Sequence, residues 1–193
     1  MTKVVSHNLF YLTLLLFCAF SCTADRENVS ENDSKGYDLS TNFSPQKSVK
    51  YWDVDGEQIQ RELITVKKDG TALSLVEFPN ELLDKPYTGN GKLFLCEIQP
   101  QQQLIHYAKQ HKMSDDELMM YLSFEIQNRF SIYNDSLNMT YSPDGLIYEP
   151  SAGVKDKERF LLFFNDTLIF QSPYSLIYDD VFFGIGLTEF TFK

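Results

Sequence analysis

The chain is short of most of what chemistry at a protein site requires. Cysteine occurs three times in 193 residues, at positions 18, 22 and 96. That is too few for the paired framework of a disulfide-stapled domain, so hydrophobic burial has to hold the fold. Histidine is equally scarce, and only His106 and His111 lie beyond the N-terminal segment. On one expected helix they point about 140° apart, and neither a His-Glu-x-x-His motif nor a zinc-type Cys/His set occurs. Positive charge is in deficit: Lys+Arg 17 against Asp+Glu 27, a formal net charge of -10. Without a basic cluster, no nucleic-acid partner is expected, nor adhesion to anionic lipid by charge. There is no Gly-x-Ser-x-Gly. The run 88–92 (TGNGK) lacks the full phosphate-loop pattern, and Asp53 and Asp55 lack the later oxygens of a calcium loop. Carboxylates are plentiful, but sequence places no two of them across a cleft. The expectation is therefore a non-enzyme without a metal or cofactor.

What is present begins with an apolar run at 9–20 (LFYLTLLLFCAF), preceded by Lys3 and followed by Ser21-Cys22. It is shorter than the ~20 residues that span a bilayer, and it reads as an export leader. Residues 19–22 (AFSC) resemble a relaxed bacterial lipobox, with Phe20 as the departure from its usual small or β-branched residue. The resemblance implies cleavage before Cys22 and lipidation of that thiol, which places the mature chain in the bacterial cell envelope, lipid-anchored at the outer membrane. Three segments follow: a lipoprotein-type signal peptide at 1–21, a flexible acidic and polar tether at 22–48, and one domain at 49–193. Residues 23–47 contain almost no large apolar side chains and cannot offset their ordering entropy by burial. The remaining Cys96, inside KLFLCEI, reads as a small buried hydrophobe.

Within 49–193 the periodicity is mostly that of strands. Asp55-Gly56 and Asp69-Gly70 mark hairpin turns, with Ile64 and Val66 opposed to Leu73 and Leu75 across the second. Residues 78–91 form a loop with at most one helical turn, and 91–99 resume as a strand. The period then changes. Pro100 sits at an early position of a helix carrying Leu104, Ile105, Tyr107 and Ala108. Ser114 caps a second helix, Glu117 completes a capping box, and Leu118, Tyr121, Leu122, Phe124 and Ile126 supply its apolar stripe. The fold class that follows is α+β: an antiparallel β-sheet of hairpins with two central helices packed on one face.

The last third carries an imperfect repeat. Residues 134–148 (NDSLNMTYSPDGLIY) align with 165–178 (NDTLIFQSPYSLIY), and both read as strand-turn-strand units in successive hairpins. Asp179-Asp180 marks a turn, and Gly184 and Gly186 suggest a bulge or close approach in the closing strand. Asp-Ser-Leu at 135–137 and Asp-Thr-Leu at 166–168 resemble the Asp-Ser/Thr-aliphatic acceptor of O-glycosylated exported proteins in some Gram-negative groups. That makes Ser136 and Thr167 candidate modification sites. Tyr133, Tyr141, Tyr148, Tyr174 and Tyr178 are candidate contacts to a partner or ligand at hairpin tips. The leading functional expectation is a membrane-anchored accessory or structural lipoprotein that binds another envelope protein. The alternative is a glycan- or small-ligand-binding surface lipoprotein, with a carboxylate-dependent hydrolase behind it.

Overall fold

The computed structural model describes residues 45–83, 91–150 and 157–192. The leader, Cys22 and residues 23–44 of the tether lie outside the described residues. β1 (Gln46–Val54), which begins ahead of Val49, pairs with β2 (Glu57–Lys68), and β2 with β3 (Thr71–Glu77). Asp69-Gly70 joins the second pair with φ of 47° and 83°. Both residues are left-handed, as a type I′ turn requires to match the twist of paired strands. At the first turn the Asp53 carboxylate accepts the Gly56 N–H at 3.0 Å, so these aspartates do turn chemistry.

β4 (Lys92–Gln99) follows, then α1 (Leu104–Gln110) and α2 (Asp115–Met120), which runs on into a π turn (Tyr121–Glu125) and a 3-10 turn (Ile126–Arg129). The chain continues through β5 (Phe130–Asn134), β6 (Met139–Tyr141), β7 (Gly145–Glu149), β8 (Glu158–Phe164), β9 (Tyr174–Asp179) and β10 (Leu187–Phe192). The fold is α+β, with hairpin strands in two antiparallel sheets and two helices contacting the sheet region. The six-stranded sheet has the order β1-β2-β3-β4-β8-β7, and the four-stranded sheet β10-β9-β5-β6.

Strand alternation explains the core. Ile64, Val66, Leu73, Leu75, Phe94, Cys96, Ile98, Phe160, Leu162 and Phe164 project from one face of the larger sheet and are buried. Phe130, Ile132, Leu176, Tyr178 and Phe190 meet them from the smaller sheet in the same cluster. Phe94 joins the two layers, with its ring centroid 5.9 Å from Phe164 and 5.6 Å from Phe192. Packed aromatic rings of this kind dominate core energetics.

The helices depart from expectation at two points. Gln103 occupies the N-cap of α1, so Pro100 lies in the connection before the helix rather than within it. In α2 the capping box is as expected: Ser114 Oγ accepts the Glu117 N–H, and the Glu117 carboxylate accepts the Ser114 N–H at 2.7 Å. Leu118, Tyr121, Leu122 and Ile126 are buried, but Phe124 is exposed. It falls between Leu122 and Ile126, which share one side at a spacing of four, and so it points away from the core.

The repeat is present in sequence and absent as a structural unit. Its first copy closes the β5–β6 hairpin, whereas the matching part of the second is a 3-10 turn over Thr167–Phe170. Successive meander hairpins are therefore not what forms. Each Ser-Pro instead carries the chain between sheets, from β6 to β7 in one direction and toward β9 in the other. The copies interlock through the buried Asn134, which donates to the Ile169 carbonyl at 2.9 Å and Ser172 Oγ at 2.8 Å. Its Oδ1 accepts the Leu137 N–H. Gly184 and Gly186 lie in the loop before β10, not inside a strand, with φ of 81° and 77°.

Candidate functional site

That loop is wound around Asp180, as the turn reading of Asp179-Asp180 anticipates, but the carboxylate is buried. Oδ1 accepts the N–H groups of Phe182 and Phe183, both at 2.9 Å, and the Tyr178 hydroxyl at 3.1 Å; Oδ2 accepts the Ile185 N–H at 2.6 Å. Phe182 and Phe183 are thereby turned onto Tyr107 of α1, and Phe182 also onto Tyr121. Among the described residues, the buried Tyr121 hydroxyl has no partner at full hydrogen-bonding geometry. Burial first, then the Asp180 charge, push this phenol up to about 12, with Arg129 acting in the opposite sense. His111 stacks on Phe182 at 4.9 Å. Both body histidines are exposed, and no metal-holding cluster of His, Cys, Asp or Glu occurs among the described residues.

The sequence-selected residues do not converge. Cys22 lies outside the described residues. Ser136 is exposed in the β5–β6 turn, and Thr167 is half-buried at the start of its 3-10 turn, which Asp166 caps by accepting the Leu168 N–H. Tyr133 and Tyr141 are half-buried. Because Tyr141 stands opposite Ile132, they occupy opposite faces of the β5–β6 ladder. Tyr148 is half-buried, stacked on Phe160 at 5.2 Å, and donates to the buried Glu158 at 2.6 Å. Burial and then Glu158 raise its pKa. Tyr174 and Tyr178 correct the expectation of exposure: at 5% and 0% they belong to the core. The pleat of β9, a strand paired on both edges, directs them inward.

Three groupings that the sequence does not announce come together instead. The first is an apolar ridge. Met119 and Met120 at the end of α2 are 44% and 54% exposed, and Phe124, one turn on from Met120, is 65% exposed. β7 packs beside this π turn, but its exposed Ile147 stands opposite Leu161 and so projects from the other face of the sheet, apart from the ridge. The second is an ion cluster on the face of the large sheet away from the core. The buried Glu97 receives Arg159 at 3.0 Å, Lys50 at 3.5 Å and Lys157 at 3.8 Å. Both oxygens of its carboxylate are engaged, Oε1 by Arg159 and Oε2 by Lys50 and Lys157.

The third is a groove of 340 Å³ at the open end of the two sheets, walled by Phe170, Tyr174 and Phe192. Tyr174 and Phe192 stack at 5.1 Å, and Phe170 meets Tyr174 edge-on at the same centroid distance. Lys92 lies against this wall, 2.7 Å from Glu77 Oε2 and 3.3 Å from the Tyr174 hydroxyl. Burial acts to lower the Lys92 pKa, but the bond to Glu77 and the neighbouring Tyr174 outweigh it, and the net shift is upward.

Among the described residues no helix is long and apolar enough to cross a membrane. Compared with protein-family models, curated proteins and solved structures, the chain matches none.

Proposed function

We propose that this chain is an exported lipoprotein, held at the outer membrane by acyl groups on Cys22, that acts without catalysis by binding another envelope protein. The address rests on the leader and on the lipobox-like residues 19–22. With a net charge of -10, attachment depends on acyl chains, and two or more are needed for a stable anchor. The polar segment 22–45 separates the proposed anchor from the domain, whose first strand begins at Gln46.

The observation that carries the partner reading is the ridge of Met119, Met120 and Phe124. Single exposed apolar residues need no explanation, but three within two successive helical turns favour a contact surface. Methionine also suits it, since its flexible thioether adapts to a partner's shape.

The test couples fatty-acid labelling to in-membrane cross-linking of the full-length protein. The wild type is expected to incorporate label at residue 22 and to yield a defined cross-linked species. Cys22→Ser loses the label, while Phe124→Glu keeps the label but loses the cross-link. An unlabelled wild type overturns the anchor, and a cross-link unchanged by Phe124→Glu overturns the ridge.

A further inference from the structure

We propose that the groove walled by Phe170, Tyr174 and Phe192 binds an uncharged pyranose sugar, a function separate from the protein contact above. Its 340 Å³ lies at the small end of the ~300–1,000 Å³ typical of ligand sites, suited to one or two rings.

Charge selects the ligand class. The groove's cation is Lys92, and it is already committed to Glu77, to the Tyr174 hydroxyl, and to the faces of Phe170 and Tyr174 at 5.3 and 5.5 Å from their centroids. A cationic ligand therefore finds the aromatic cage filled by the protein's own ammonium. An anionic ligand finds no unpaired cation, because Lys92 is paired with Glu77 at 2.7 Å and Lys47 with Glu62 at 2.9 Å. A purely apolar ligand covers polar groups without pairing them, at a desolvation cost.

What remains attractive is the part of the half-buried Phe170 and Phe192 that Lys92 and Tyr174 leave uncovered, beside uncommitted hydrogen-bonding capacity. Lys92 bonds Oε2 of Glu77, which leaves Oε1 to accept. Ser172 Oγ accepts from Asn134, which leaves its own proton to donate, and the Gln171 amide supplies both functions. A pyranose matches that set, with a C–H face for the rings and a rim of hydroxyls for Glu77, Gln171 and Ser172.

The test is saturation-transfer NMR and calorimetry on the full-length protein, in a detergent without a sugar headgroup. The probes are maltose, cellobiose, lactose and diacetylchitobiose, with glucosamine and glucuronate as charged controls. At least one neutral disaccharide is expected to bind with a Kd in the millimolar range or below, about tenfold tighter than either charged control. Phe170→Ala and the exposed Gln171→Ala are each expected to weaken it about tenfold with an unchanged circular dichroism spectrum. Failure of every neutral disaccharide to bind, preference for a charged control, or affinity indifferent to Gln171→Ala overturns the assignment. None of these outcomes bears on the ridge, because the cross-linking assay reads a different surface.

Discussion

Asp180 illustrates how much one side chain settles. Its carboxylate accepts three backbone N–H groups and a phenol in a buried position, so removing it orphans several donors at once. Asp180→Ala is expected to cost at least about 3 kcal/mol, read as a lowered urea midpoint, with Asp180→Asn costing less because one acceptor oxygen remains. Cys96 gives a second residue-scale prediction. It is buried in the core with its thiol pKa pushed up, by burial first and then by Glu97. A thiol reagent is expected to label position 96 only at the rate of unfolding; fast labelling of the native protein contradicts this placement. The hydrophobic reading of Cys96 was legible from its strand context. The burial of Asp180 was not, because an Asp-Asp pair before a strand looks the same whether its loop faces solvent or folds over a core.

Among elements, features specified by neighbouring residues follow local rules closely. The two Asp-Gly hairpins and the Ser114–Glu117 box are examples. Ser114→Ala removes the acceptor for the Glu117 N–H and is expected to lower stability by about 0.5–2 kcal/mol, measured by chemical unfolding. Acid weakens the same feature. Bonding to the Ser114 N–H, and then to its hydroxyl, holds the Glu117 carboxyl below its ordinary value. Its contribution is therefore present above the unfolded pKa and lost as pH falls through the folded one. The repeat is the counter-example. Copies similar enough to align become a strand in one place and a 3-10 turn in the other, because β6 has β5 to pair with while residues 167–170 pack Ile169 into the core instead.

For the molecule as a whole, the aromatic core has a consequence at alkaline pH. Tyr121, Tyr148, Tyr174 and Tyr178 all have raised pKa values, with burial the largest cause at each. The folded state thus holds these protons more tightly than the unfolded chain, whose phenols titrate near 10. Stability from them is complete below about pH 10 and declines as pH rises toward the folded values. Urea midpoints across this range are expected to fall together with the appearance of tyrosinate absorbance. Titration of all tyrosines near pH 10 without loss of structure contradicts the burial of these rings.

By itself the sequence determined what lies within a few residues or in a simple period: the turns, the helix cap, the antiparallel strands, the α+β class, and the motif that suggests an anchored address. Tertiary structure alone decided how the strands divide between two sheets, that Tyr174 and Tyr178 face inward, and that Phe124 joins Met119 and Met120 on the surface. It also brought Lys92, Glu77, Phe170 and Phe192 to one groove from segments far apart in the chain. The physical reason is the range of the interactions. Turn dihedrals and capping bonds are specified by adjacent residues, whereas burial depends on which distant faces meet, and strand alternation names a face without naming what covers it.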